Sequence, residues 1–136
     1  MARPYLGGSN AGIKELTAVS TLSLADSGKV FMLNHATEFA TTLPAPSNKG
    51  WEGTFVVKGA PSGANYTVVT PSGAIIGSVS AGAADDVADT SDGSDTIITF
   101  VGGQSVAGDW IKIVSDGTNY YIVGGLGKVA AGITIS

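Results

Sequence analysis

The sequence contains no cysteine, so a disulfide framework and any metal site built on thiolates are excluded. It contains one histidine, His35, which also excludes a zinc site made of several histidines. No G-x-S-x-G pattern is present, so the chain lacks the usual sequence context of a serine nucleophile that could act with His35. We therefore expect a protein that is not an enzyme, has no catalytic residues and uses no cofactor or metal.

Charge is also scarce. Charged residues make up 13% of the chain, and 7 basic against 11 acidic residues give a net charge of −4. An acidic chain without a basic patch argues against nucleic-acid binding. No apolar run approaches the ~18 residues of a membrane span, and the first twelve residues lack the apolar stretch of a secretory signal. We expect a soluble protein made in a cytoplasm, with no nucleic-acid or membrane partner.

Glycine-lysine pairs occur at Gly28-Lys29 and Gly127-Lys128, but neither has the spacing of a phosphate-binding loop. In that motif an earlier glycine stands at a fixed distance and a serine or threonine follows the lysine. Both pairs are better explained as turns.

Short β-prone runs separated by turn residues fill the chain, which also contains 20 glycines. Turn signals recur every 8 to 12 residues, and no helical crossover is apparent, which is typical of a sandwich or barrel. The sequence predicts an all-β fold: a single antiparallel β-sandwich or barrel, of jelly-roll or tulip type, with about ten short strands. Residues 13–136 would form this domain, and residues 1–12 an extended N-terminal arm or a frayed terminus.

The clearest local signal is a hairpin between residues 110–115 and 118–123, joined by Asp116-Gly117. An Asp-Gly pair between two β-prone runs favours a two-residue type I′ turn. That turn would pair Ser115 with Thr118, Ile113 with Tyr120 and Ile111 with Ile122. One face would carry the isoleucines and Tyr120; the other would carry Trp110 and Tyr121 close together, available to a neighbouring subunit or strand.

Four other segments have specific predictions. Residues 13–18 resemble a helical turn, and residues 65–70 and 74–79 form a hairpin about Pro71-Ser72-Gly73. Residues 81–94 form a long acidic loop, and residues 128–136 a last strand.

The acidic loop offers the only candidate ligand chemistry, through Asp85, Asp86, Asp89, Asp92 and Asp95. Clustered carboxylates near a glycine turn could supply several oxygens to calcium. Their spacing does not match an EF-hand, and a solvated loop is the alternative.

A sugar-binding surface is a further alternative, because aromatic residues could form a stacking platform. The candidates are Trp51, Tyr66, Trp110, Tyr120 and Tyr121. Aromatic residues in strands more often belong to a core or an interface.

The order of four segments is familiar: residues 22–29 (LSLADSGK), 42–46 (TLPAP), 50–57 (GWEGTFVV) and 107–123 (AGDWIKIVSDGTNYYIV). Over residues 17–123 the chain resembles a β module of tailed-bacteriophage virion proteins. That module occurs both in capsid decoration (cement) proteins and in tail-fibre or spike domains. The SDGTNYY stretch carries most of the likeness.

The resemblance implies a homotrimer that assembles in the host cytoplasm and is displayed on the virion. Because the module fills almost the whole chain, a decoration protein on the capsid surface, with the major capsid protein as partner, is favoured. A fibre, spike or host-recognition module, with carbohydrate binding as an option, is the alternative. The residues expected to contact the shell or a neighbouring subunit are Arg3, Pro4, Tyr5, Leu6, Trp51, Trp110 and Tyr121.

Overall fold

The computed structural model describes residues 12–35, 37–82 and 87–136, which fold almost entirely into β-strands. A single 3₁₀ helix, Leu24–Asp26, interrupts the strands in this part of the chain. The strands are β1 (Ile13–Leu16), β2 (Ser20–Thr21), β3 (Val30–Leu33), β4 (Phe39–Thr42), β5 (Glu52–Val57), β6 (Tyr66–Val69), β7 (Ile75–Ile76), β8 (Ser78–Ala81), β9 (Val87–Thr90), β10 (Ile97–Phe100), β11 (Trp110–Ser115), β12 (Tyr120–Gly127) and β13 (Ile133–Ile135). The all-β prediction is confirmed.

The strands belong to two sheets. Sheet A has the order β1-β3-β5-β11-β12-β8-β9, with β7 also paired to β12, and sheet B has the order β13-β10-β6-β4-β2. Among the described residues both orders are open, so neither sheet closes and the barrel alternative is wrong. Both sheets also mix parallel and antiparallel pairs, which corrects the antiparallel prediction.

The parallel pairs arise because the first half of the chain alternates between the sheets. Strands β1, β3 and β5 are parallel neighbours in sheet A, and β2, β4 and β6 are parallel neighbours in sheet B. Parallel neighbours need a long crossover, which is usually a helix. Here each crossover contains a strand of the opposite sheet, so the lack of a helical pattern did not indicate antiparallel pairing.

Every antiparallel pair in the described residues includes a strand from the second half of the chain. Strand β11 lies between β5 and β12, and β10 lies between β6 and β13. Strands β7 and β8 run parallel to β12, and β9 is antiparallel to β8.

One hydrophobic core joins the two sheets. Alternate residues of β3, β5 and β11 are buried, as expected for strands with one face turned inward. The rings of Phe31 and Phe55 stack with centroids 5.0 Å apart, and Trp51 stacks on Phe31 and meets Tyr120 edge-on. Sheet B contributes buried side chains such as Ile98 to the same cluster.

The predicted hairpin of residues 65–79 does not form. Strand β6 pairs with β4 and β10 in sheet B, whereas β7 pairs with β12 in sheet A. Residues 71–73 therefore carry the chain from one sheet to the other. Gly73 has φ +69°, a left-handed conformation that suits glycine.

Three further segments differ from prediction. Residues 13–16 are a strand, β1, because pairing with β3 outweighs the helical character of the Ile-Lys-Glu-Leu run. Residues 87–90 of the predicted acidic loop form β9, paired with β8. Of the predicted last strand only residues 133–135 are β-structure, and they pair with β10.

The hairpin of β11 and β12 is confirmed, but its register is displaced by two residues. Ser115 pairs with Tyr120 and Ile113 with Ile122, so the loop has four residues instead of two. The Asp116 carboxylate accepts hydrogen bonds from the N–H groups of Thr118 and Asn119, both at 2.8 Å. These two bonds, with Asn119 first, hold the pKa of Asp116 below its ordinary value.

The predicted N-terminal arm lies outside the described residues except for Gly12, whose carbonyl accepts a hydrogen bond from the N–H of Val30. No helix in the described residues is long and apolar enough to cross a membrane.

Candidate protein-interaction surface

The outer face of sheet A carries a row of apolar side chains across four neighbouring strands. Met32, Val56, Trp110 and Leu126 are register partners in succession along β3, β5, β11 and β12. The first three are partly exposed, and Leu126 is 43% exposed. Neighbouring strands lie about 4.8 Å apart, so this apolar row spans about 14 Å of surface.

Trp110 lies across Gly124 of the next strand. A Cβ atom added to Gly124 would come within 2.9 Å of Cη2 of the Trp110 ring. Glycine at this position therefore lets the indole cover β12, which extends the apolar surface from β11 towards Leu126.

A groove of about 470 Å³ opens beside the end of the apolar row. We call it the Leu126 groove; its lining residues are Gly82, Val106, Ala107, Gly108, Asp109, Leu126 and Lys128. Its volume falls in the range of small-molecule pockets, and it would also hold one large side chain of a partner.

Asp109 fixes the loop that forms one wall of the groove. Its buried carboxylate accepts hydrogen bonds from Ser105 Oγ at 2.9 Å, from the N–H of Val106 at 3.1 Å and from the N–H of Lys128 at 3.0 Å. A buried carboxylate with three donors joins the loop before β11 to the end of β12. The groove is therefore largely preformed.

Two cations flank this surface. Lys112 is on the same face as Trp110, and Lys128 follows β12 and lines the groove. Neither has an ion-pair partner within the described residues, whereas Lys14 and Lys29 contact Asp26 and Lys58 contacts Glu15. The burial of Asp26 raises its pKa, but hydrogen bonds from Ser23, Lys29 and Lys14 outweigh this effect and lower it overall.

The predicted contact residues differ in their exposure and position. Trp51 is only 2% exposed, and its indole N–H donates to the Ser23 carbonyl at 3.0 Å, so its side chain is not available to a partner. Trp110 and Tyr121 do lie on the outer face, but Tyr121 pairs with Val114, four residues from Trp110 along β11. The predicted proximity is therefore wrong. The candidates Arg3, Pro4, Tyr5 and Leu6 lie outside the described residues.

In the described part of the acidic loop, three aspartates accept hydrogen bonds from backbone N–H groups. Asp89 accepts a hydrogen bond from the N–H of Ile135, Asp92 from that of Ser94, and Asp95 from that of Asp92. No group of three or more metal-ligating side chains occurs in the described residues. Asp85 and Asp86 lie outside them, so the calcium hypothesis is untested for those two.

The five aromatic residues do not assemble into a sugar platform. Tyr66 and Tyr120 are buried with Trp51 in the core, which leaves only Trp110 and Tyr121 at the surface. The Tyr120 hydroxyl donates to the Pro44 carbonyl at 2.7 Å, and burial raises the pKa of Tyr120 to about 12. The hydroxyl of Tyr66 accepts a hydrogen bond from the N–H of His35 at 2.9 Å.

The sequence predictions missed most of the apolar row. Met32 and Val56 lie in short β-prone runs, but without the strand order the sequence does not show that their faces adjoin. Leu126 was assigned to no element, because three nearby glycines hid the continuation of β12. Simple alternation from Tyr120 onward would turn Leu126 to the buried face. Leu126 faces outward because β12 contains one extra residue where the register shifts between Lys112 and Ile113. No protein-family model matches the chain, and no curated protein shows significant similarity to it.

Proposed function

We propose that this protein is a structural virion protein: a decoration protein that binds the outside of a tailed-phage head and stabilises the shell. The observation that carries the proposal is the apolar row with its adjoining groove on an outward sheet face. Apolar patches of this kind, next to a preformed groove, mark surfaces that bind other proteins. The resemblance of the chain's motifs to those of phage virion β modules supports the class of partner.

We also infer that the two sheets pack as a β-sandwich and that three chains form a homotrimer. A trimer at a local three-fold axis of the shell would present three copies of the docking surface at once. Multivalent contact then strengthens binding beyond that of one surface. Burial of apolar area contributes about 25 cal/mol per Å² before the cost of association is subtracted, so even a modest patch on each of three linked subunits would help to hold the shell.

The test of the proposed function is the copy number of this protein in purified virions, measured by quantitative mass spectrometry against the major capsid protein. A ratio near one to one supports decoration of the whole shell. A few copies per particle would instead indicate a fibre or spike, and absence from virions would overturn both.

The test of the assembly is the molar mass in solution, measured by light scattering after size-exclusion chromatography. We expect three times the chain mass. A monomer at high protein concentration would contradict the trimer.

A further inference from the structure

Lys112 and Lys128 stand on opposite sides of Leu126 along the direction of β12. Lys112 pairs with Gly124, two residues before Leu126, and Lys128 follows two residues after it. A strand rises about 3.3 Å per residue, so each lysine is about 7 Å from Leu126 along the strand. Leu126 therefore has one cation about 7 Å away in each direction along β12: Lys112 on the neighbouring strand β11, and Lys128 at the groove itself.

An extended chain can match this arrangement. In a β-strand, residues i, i+2 and i+4 point to the same side and are also about 7 Å apart. A segment with the pattern acid-x-apolar-x-acid would place one large apolar side chain over Leu126, at the edge of the groove. Its two carboxylates would then face the two lysines.

We propose that the Leu126 groove and its two lysines bind an extended acidic protein segment with this pattern. The inference rests on the proposed function, since it names the chemistry of the capsid segment that the protein would dock onto. The apolar side chain packs on Leu126 at the edge of the groove, and the carboxylates pair with Lys112 and Lys128.

Charge selects this partner over the other available occupants. A second copy of the same face would bring lysine against lysine, and the N-terminal segment of this chain carries Arg3 and no acidic residue. Asp109 lines the groove, but its carboxylate is buried and already accepts three hydrogen bonds. Glu52 is on the same face, but it pairs with Val114, and β5 lies on the side of β11 away from Leu126. An acidic segment therefore complements the surface around the groove.

The test is a titration of the full-length protein with three capped peptides, followed by two-dimensional NMR of its amide groups. The peptides are Ser-Glu-Thr-Leu-Thr-Glu-Ser, the same sequence with both glutamates replaced by lysine, and the same sequence with the leucine replaced by serine. We expect the first to shift the amides of Lys112, Leu126 and Lys128 at millimolar concentration. The other two should bind at least about tenfold more weakly.

Charge reversal supplies the matched control. The double variant Lys112→Glu and Lys128→Glu should lose the acidic peptide and gain the basic one. The variant Lys49→Glu should keep the original preference, because Lys49 lies in the turn before β5, away from the groove. Well-dispersed spectra of all variants show that they remain folded.

Equal binding of the three peptides, shifts elsewhere on the protein, or no shifts at all would overturn the inference. Virion copy number decides the proposed function separately. A protein that selects the acidic peptide but is absent from virions keeps the inferred specificity and loses the proposed role.

Discussion

Asp109 shows how one buried carboxylate can organise a surface. Leaving a charge in a protein interior is costly unless hydrogen bonds replace its water. Here three donors do so: Ser105 Oγ and the N–H of Val106 from the preceding loop, and the N–H of Lys128 from beyond β12, nineteen residues away. The side chain thus sets the position of the groove wall without being offered to a ligand.

Asp109→Asn should lower the free energy of unfolding by about 1–3 kcal/mol. The NH₂ group of asparagine would replace one carboxylate oxygen and would face donors that this oxygen accepts from in the native protein. Urea denaturation measures the loss. The matched control is Glu38→Gln, an exposed position where we expect no measurable change. Equal effects at both positions would contradict the role given to Asp109.

Tyr120 gives the protein a dependence on alkaline pH. Its folded-state pKa of about 12 lies above the ordinary value of 10.0, so the folded state holds this proton more tightly than the unfolded state. Its contribution to stability is then complete below about pH 10 and is lost as the pH rises towards 12. We expect the free energy of unfolding to decrease across this range.

Urea denaturation between pH 8 and pH 11 tests this, with Tyr120→Phe as the variant that should flatten the alkaline decrease. Tyr121→Phe, at an exposed position on the same strand, should leave the decrease in place. If the two variants behave alike, the assignment to Tyr120 is wrong.

At the scale of the elements, the crossing between the sheets depends on Gly73. Its φ of +69° is unfavourable for other residues, and an added Cβ would overlap the carbonyl oxygen of Thr118. Gly28 also has a positive φ, +83°, but an added Cβ there meets nothing within 4 Å. The pair therefore separates backbone strain from steric overlap.

Gly28→Ala should lower the free energy of unfolding by about 1 kcal/mol through backbone strain alone, and Gly73→Ala by clearly more. Thermal or urea denaturation of the two variants checks the order. Equal losses would show that the crossover can shift without cost.

The elements also show what the sequence could predict. Runs with period-two alternation, such as residues 52–57, indicate strands because burial on one face leaves that pattern. The β11–β12 register was missed because Asp116 accepts two backbone hydrogen bonds and so widens the loop. The residues 65–79 were misassigned because a turn signal does not say whether the next strand joins the same sheet.

The candidate surface was predictable only in part. Trp110 is predicted to face outward because alternation in β11 is regular. Trp51 directly precedes β5 and shares the alternation of Phe55 and Val57, so the pattern itself favoured a buried side chain over the predicted contact. The buried position of Trp51 depends on the Ser23 carbonyl, which comes from a segment 28 residues earlier. The apolar row and the groove needed strand order, which is a property of the fold that local patterns do not contain.

At the scale of the whole molecule, both sheets depend on one core. Ile98 of sheet B and Ile111 of sheet A are fully buried in the same cluster. Truncating either to alanine should cost about 2–5 kcal/mol. In each variant, the unfolding transitions followed by tryptophan fluorescence and by far-ultraviolet circular dichroism should move by the same amount, because the sheets unfold as one unit.

Separate transitions for the two probes, at one fixed protein concentration, would show that the sheets unfold independently. Both tryptophans belong to the sheet A side. An unfolding transition that is unchanged by Ile98→Ala when followed by fluorescence would therefore be the clearest contradiction.

The alternation of the early strands between the sheets has a mechanical consequence. From β1 to β7 every connection passes from one sheet to the other, so the covalent chain itself links the two sheets. A force that pulls the layers apart must act along covalent chain at six successive crossings, rather than on side-chain contacts alone. Such a module would transmit force between partners bound to its two sheets. It would also resist separation of the sheets even while individual strand pairs open and close.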